Sequence, residues 1–81
     1  MKQTRAIGMY QVRCHYPLDE NWQERDKELV TAAGRKADWG GADQYERELG
    51  WEVDDLTKAQ KLKRRLDKAM IPDVKVYIRE E

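Results

Sequence analysis

The chain has 81 residues, a formal net charge of zero, and charged side chains at 40% of its positions. This length predicts one domain, residues 1–81, with a modest hydrophobic core. A balanced charge argues against a dedicated nucleic-acid-binding protein, because such proteins are usually strongly basic. The sequence contains neither an apolar run of membrane-span length nor the apolar core of a signal peptide. We therefore expect a cytoplasmic protein that does not contact a membrane.

The first predicted element is a strand from about Ile7 to Tyr16, which Pro17 closes. Successive side chains of a strand point to opposite faces, and here an apolar set alternates with a polar one. The apolar set is Tyr10, Val12 and Cys14, and the polar set is Gln11, Arg13 and His15. We expect the apolar set to pack against a core and the polar set to meet solvent.

The first helix is predicted to begin at Asp19 or Asn21 and to end near Ala33. Asn21 and Glu24 have the spacing of a capping box, and Gly34 stands where a C-cap glycine belongs. The apolar stripe of this helix consists of Leu18, Trp22, Leu29, Val30 and Ala33. A stripe of this kind predicts a helix that packs one side onto the sheet.

Residues 35–44 admit two interpretations, a loop or a short edge strand with a turn at Gly40-Gly41. With the edge strand, the element order is βαββαβ, the ferredoxin-like order. With the loop, the order is βαβαβ. Trp39 lies in this segment with no apolar stripe to join. We expect it either to anchor a partner, because tryptophan is enriched at binding hot spots, or to fold back as a lid on the core.

The segment Tyr45–Val53 alternates with a period of two, which predicts a strand. Its inward set is Tyr45, Arg47, Leu49, Trp51 and Val53, and its outward set is Glu46, Glu48, Gly50 and Glu52. The outward glutamates should lie beside a basic strand, since each cross-strand pair of opposite charges contributes about 0.2–1 kcal/mol.

The period then changes to that of a second helix, which Pro72 ends because proline has no amide hydrogen. Asp54 or Asp55 is a candidate N-cap, and Thr57 with Gln60 is an alternative capping box. The predicted inward stripe consists of Leu56, Ala59, Leu62, Leu66, Ala69 and Met70. The stripe recurs at three- and four-residue steps, as an amphipathic helix requires.

A last strand follows, in which an apolar set again alternates with a polar one. Val74, Val76 and Ile78 form the apolar set, and Lys75, Tyr77 and Arg79 form the polar set. Together the elements predict an α+β fold, a two-layer sandwich with two helices on one face of a three- or four-stranded sheet. The other face of the sheet should be exposed.

Short motifs carry a resemblance to known proteins. They are Ala32-Ala33-Gly34-Arg35, a glycine-containing loop, Arg47-Glu48-Leu49-Gly50-Trp51, and a helix of the Lys58–Lys68 type. In these motifs the chain resembles small uncharacterised α/β proteins, of ferredoxin-like type, from bacterial and phage genomes. The resemblance covers most of the chain and implies the two-layer fold. An inhibitor or accessory protein of phage type would fit it, but it assigns no activity to any residue.

The sequence contains no catalytic or metal-binding constellation. A single cysteine excludes an internal disulfide, and the absence of serine excludes a serine nucleophile. Cys14 and His15 are adjacent on a strand and point to opposite faces, so they cannot form one thiol–imidazole dyad. One histidine and one cysteine cannot close a zinc site, and Asp54-Asp55 lacks calcium-loop spacing. We therefore expect no cofactor and no metal ion, with Cys14 as a small core residue.

Asp26 and Arg47 are charged residues in otherwise inward-facing sets, one on the first helix and one on a strand. An unpaired buried charge is costly, so we predict that the two side chains form an ion pair or reach the rim of the core. A structural ion pair is the favoured interpretation, and a small polar pocket is the alternative.

These observations favour a small non-enzymatic protein that binds a macromolecular partner, namely another protein. The residues expected to bind it are Trp39, Arg13, His15, Tyr77 and Arg79. The alternative is a nucleic-acid-binding accessory protein that uses four cations of the second helix, Lys61, Arg64, Arg65 and Lys68. Those cations also suit an ordinary solvated helix face, which the zero net charge favours. A small enzyme is the third class, and both a monomer and a homodimer are compatible with the sequence.

Overall fold

Four strands and two helices make up the part of the chain that the computed structural model describes, residues 10–80. In chain order the elements are β1 (Tyr10–Pro17), α1 (Trp22–Ala33), β2 (Trp39–Ala42), β3 (Glu46–Val53), α2 (Leu56–Lys68) and β4 (Lys75–Glu80). Residues 7–9 of the first predicted strand lie outside this range. Neither helix within residues 10–80 is long and apolar enough to cross a membrane.

The strands form one antiparallel sheet in the order β2-β3-β1-β4. Residues 39–42 are therefore an edge strand, and the interpretation of this segment as a loop beside a three-stranded sheet is wrong. Cys14 in β1 lies opposite Leu49 in β3 and Val76 in β4. This register brings the apolar residues of three strands to the same face of the sheet.

Both helices pack on that face and share one hydrophobic core with it. The buried side chains of the strands are Val12, Cys14, Tyr16, Leu49 and Trp51, and those of the helices include Leu29, Ala33, Ala59, Leu62 and Leu66. The predicted α+β class is confirmed. Burial, and to a smaller extent the charge of Asp67, raises the pKa of the Cys14 thiol to about 12, so this thiol is a protonated core group.

Two of the predicted helix caps are present in the structure, and a third is not. Asp55 caps α2, since its side chain accepts a hydrogen bond from the Lys58 backbone N–H at 2.8 Å. Gly34 ends α1 in the left-handed conformation, with φ +81°. The capping box predicted at Asn21 and Glu24 is wrong: Asn21 lacks the extended backbone that aims an N-cap side chain at the helix, and its side chain makes no capping bond.

Four residues assigned to inward sets are exposed instead. Tyr45 precedes the first residue of β3 and is 72% exposed, and Leu56 is the first residue of α2 and is 45% exposed. Ala69 lies just past the end of α2 and is also exposed. Met70 adopts a left-handed backbone, with φ +51°, and is 84% exposed. The turn after α2 thus moves Met70 out of the helical stripe, and Ile71 is buried in its place.

Candidate binding surface

The sheet face opposite the helices holds all five residues predicted to bind a partner protein. Trp39 lies opposite Gly50, Gly50 opposite Arg13, and Arg13 opposite Tyr77. Residues directly opposite each other in antiparallel strands project from the same face, so these four form one row across the sheet. His15 lies in the next row. We call Arg13, His15, Trp39, Glu48 and Tyr77 the sheet-face cluster.

Trp39 lies close against the sheet because residue 50 has no side chain. A Cβ atom at Gly50 would lie 2.2 Å from two carbon atoms of the indole ring. The Arg13 guanidinium lies over the indole, 4.9 Å from the ring centroid, which is a cation–π distance. Trp39 is therefore not a lid on the core, because the core is on the other face. Within the described residues its buried Nε1 has no hydrogen-bond partner.

His15 joins three strands through its two ring nitrogens. Its Nε2 contacts the Glu48 carboxylate and lies 3.0 Å from the Tyr77 hydroxyl oxygen, and its Nδ1 lies 3.4 Å from a carboxylate oxygen of Glu46. Arg13 Nη1 lies 3.4 Å from the same Glu48 carboxylate. The acidic strand β3 therefore lies beside the basic strand β1, as the charge pattern predicted.

The outward side chains of β4 include two basic residues without ionic partners. Lys75 and Arg79 flank Tyr77 at two-residue spacing, so the three side chains share the exposed face. Neither cation makes a hydrogen bond or an ion pair with a residue in the range 10–80. β4 is also an edge strand: no other described strand pairs with its outer side. Backbone N–H and C=O groups along that edge pair with no strand within residues 10–80, and an edge of this kind can bind a further strand.

Two hollows adjoin His15 at one end of the sheet. The larger measures about 430 Å³ and is bounded in part by Tyr45 and Lys75. The smaller measures about 170 Å³ and is bounded in part by Gly41 and Asp43. Both are open to solvent, so they suit side chains of a docked chain better than an enclosed small molecule.

Asp26 and Arg47 are brought together at the rim of the core. Arg47 Nη2 donates to Asp26 Oδ2 at 3.0 Å, and the Tyr16 hydroxyl donates to the same carboxylate. The guanidinium also lies 5.3 Å from the ring centroid of Trp22. The hydrogen bond that Arg47 donates to Asp26 raises the pKa of Arg47, while burial and then the contact with Asp26 raise the pKa of Tyr16. These groups satisfy one another, as a structural ion pair requires.

Arg25 is a buried cation that the sequence pattern did not predict. It is 8% exposed, its Nη1 lies 2.7 Å from Asp19 Oδ1, and its Nε donates to the backbone oxygen of Pro72 at 3.1 Å. Arg25 Nη2 also lies 3.7 Å from the Asp73 carboxylate. The side chain therefore ties the start of α1 to the turn before β4. Its position three residues after Trp22 was in phase with the apolar stripe, which is the signal that could have found it.

The four cations of α2 that were predicted to bind nucleic acid do not act as one group. Arg65 Nη1 donates to the backbone oxygen of Ala33 at 3.3 Å, so its charge stabilises the C-terminal end of α1. Lys61, Arg64 and Lys68 are exposed and form no ion pair with a described residue. Three of the four predicted nucleic-acid contacts thus remain available to a partner.

No protein-family model, no curated protein and no solved structure matches the chain. The resemblance to ferredoxin-like proteins of bacterial and phage genomes therefore stays a prediction.

Proposed function

We propose that the protein is a small non-enzymatic binding protein that takes an extended acidic segment of a partner protein along β4 and onto the sheet-face cluster. The observation that carries this proposal is the run of Lys75, Tyr77 and Arg79 on an edge strand, with both cations unpaired among residues 10–80. An open edge binds a further strand through its backbone, and alternate side chains then give the pairing its specificity.

Charge complementarity identifies the partner segment as acidic. A strand added to β4 places every second side chain over the exposed face, beside Lys75 and Arg79. Opposite charges across neighbouring strands attract, and like charges repel. A basic segment would therefore be rejected at the same edge, so the charge of β4 selects the partner as well as binding it.

The sheet-face cluster supplies an aromatic surface beside that edge. The rings of Tyr77 and His15 have their centroids 5.4 Å apart, and Trp39 lies farther across the same face under Arg13. Tyrosine, tryptophan and arginine are the residue types most enriched at binding hot spots. The larger hollow, beside Lys75, offers space for a partner side chain at one end of the segment.

The proposal extends to the finer description of the fold. The element order βαββαβ and the strand order β2-β3-β1-β4 support a ferredoxin-like arrangement. A cytoplasmic inhibitor or accessory protein of phage type fits a small chain built around one binding surface. Each of these assignments is part of the proposal.

Selection from a random-peptide display library tests the proposed function. We expect the protein to enrich extended peptides with Asp or Glu at alternate positions, and the variant Lys75→Glu/Arg79→Glu to lose them. The control is Lys61→Glu/Arg64→Glu, which reverses two unpaired cations on the helical side and should retain the same peptides. Enrichment of basic or purely apolar peptides, or equal loss in both variants, would contradict the proposal.

Nucleic-acid binding by α2 is the second candidate. Lys61, Arg64 and Lys68 favour it because they are exposed and unpaired within the described range. The zero net charge opposes it, since no overall field draws a polyanion to the protein. Titration of labelled DNA and RNA at low and physiological salt separates the candidates. An affinity that falls steeply with salt and is lost in Arg64→Glu supports this one, and no binding at low salt excludes it.

A further inference from the structure

An open groove lies between α1 and the turn that follows α2, on the helical side of the molecule. The groove measures about 350 Å³, and its lining residues are Lys27, Glu28, Thr31, Ala32, Ala69 and Ile71. Ala32 and Ala69 are small, so another surface can approach the helix backbones closely there. Met70 stands between two lining residues in the chain and projects its apolar side chain into solvent.

The two helices carry exposed charges of opposite sign. Glu28 lines the groove, and Lys68 directly precedes the lining residue Ala69. On α1, Glu24 and Glu28 are four residues apart, share one side of the helix, and are exposed. On α2, Lys61 and Lys68 are seven residues apart and share one side in the same way. None of the four forms an ion pair with a residue in the range 10–80. Lys27 offsets part of the acidic charge on α1, which nevertheless stays net negative on this side.

We infer that this helical face is the interface of a homodimer. A twofold axis through the groove sets α1 of each copy against α2 of the other, so the glutamates of one copy face the lysines of the second. A contact of this kind requires a patch that complements itself. The helical face complements itself in two ways. Its acidic half can face the basic half of a second copy, and the exposed methionine of one copy can fill the groove of the other.

A second copy fits this face better than an unrelated partner does. A nucleic acid would complement the lysines and be repelled by the glutamates, and an acidic protein would be repelled in the same way. Met70 is suited to the groove because methionine is unbranched and adapts its shape to the space available. The dimer leaves β4 and the sheet-face cluster uncovered. The inference therefore stands or fails independently of the proposed function.

Sedimentation equilibrium of the full chain, over a range of protein and salt concentrations, tests whether opposite charges hold the two copies together. We expect a dimer at low salt that weakens as salt screens the ion pairs. Glu24→Lys/Glu28→Lys and Lys61→Glu/Lys68→Glu should each weaken the dimer about tenfold or more, since like charges then meet. An equimolar mixture of the two variants should recover a dimer, because every reversed face then meets an opposite charge.

Met70→Asp tests whether the methionine of one copy packs in the groove of the other. The residue is exposed and aspartate tolerates a left-handed backbone, so the variant should fold, as circular dichroism will verify. We expect the dimer to weaken about tenfold or more. Tyr45→Asp alters another exposed large apolar residue that lies outside the groove, and the dimer should persist.

Four outcomes would overturn the inference. They are a monomer at low salt at every protein concentration, a mixture of the charge variants that stays monomeric, an equal loss in Met70→Asp and Tyr45→Asp, and a monomer that binds DNA or RNA through Lys61 and Lys68.

Discussion

Gly50 determines where Trp39 lies, because any side chain at position 50 would occupy the space of the indole ring. Gly50→Ala should displace the indole and, with it, the Arg13 guanidinium. We expect the free energy of unfolding, measured by chemical denaturation, to fall by about 1–3 kcal/mol. Gly41→Ala is the control, since nothing lies within 4 Å of a Cβ atom at that position. Similar losses in the two variants would show that Trp39 is not held by this contact.

Asp26 is the acceptor for both the Arg47 guanidinium and the Tyr16 hydroxyl. Asp26→Ala leaves two partly or fully buried donors without that acceptor, so we expect the free energy of unfolding to fall by about 2 kcal/mol. Lys63→Ala is the comparison, because it breaks a more exposed pair with Asp67 and should cost less than about 0.5 kcal/mol. If the two substitutions cost the same, the Asp26 cluster adds nothing to stability.

Cys14 makes folding sensitive to alkaline pH. Its thiol has a pKa of about 12 in the folded chain, against 9.0 without the effects of burial. Above pH 9 the unfolded chain loses this proton while the folded chain keeps it, so the stabilising contribution is lost as the pH rises toward 12. Tyr16, whose pKa burial also raises, adds to this trend. Urea denaturation across this range should show a free energy of unfolding that falls with pH, and that falls less steeply in Tyr16→Phe. A free energy of unfolding that does not change with pH would contradict the raised pKa of the Cys14 thiol.

Some contacts could be predicted at single residues and others could not. The approach of Asp26 to Arg47 was open to prediction because each residue interrupts an apolar set. The stacking of Trp39 on Gly50 was not, because it depends on β2 pairing with β3 in one particular register. A glycine inside a strand was the available signal, since it often marks the close approach of another group.

At the scale of the element, the start of α2 depends on Asp55. Its side chain caps the Lys58 backbone N–H, so Asp55→Ala should lower the free energy of unfolding by about 1 kcal/mol. Thr57→Ala provides the contrast, because the Thr57 side chain makes no hydrogen bond with a described residue, and its effect should be smaller. Thermal denaturation of both variants measures the difference. An equal effect would mean that the helix does not rely on this cap.

Periodicity explains which elements could be predicted from the sequence. β1, β3 and the helices have apolar residues at regular steps, and their positions followed from those steps. β2 has four residues, two of them glycine, and contains no such pattern. It becomes a strand through its pairing with β3, a long-range contact that a local pattern does not contain. The prediction that Met70 faces inward was wrong for a related reason, because its left-handed backbone ends the helical periodicity.

At the scale of the whole molecule, the net charge of zero is the sum of acidic and basic side chains that lie on different surfaces. The glutamates of β3 are partly paired with β1. The cations of β4, and Lys61, Arg64 and Lys68 of α2, are not paired within the described residues. The alternation along β1, β3 and β4 predicted which of their side chains share a face. The order of the strands, which decides which charges meet, could not be deduced from alternation.

Binding of an acidic strand to the outer edge of β4 can be observed by amide NMR of the isotope-labelled protein during titration with an extended acidic peptide. We expect the largest shift changes at residues 75–80 and in the sheet-face cluster, slower exchange of the outward amides of β4, and no binding of a peptide that carries lysine at the acidic positions. Changes centred on the groove beside α1 and the turn after α2, or equal binding of the lysine peptide, would contradict binding at β4.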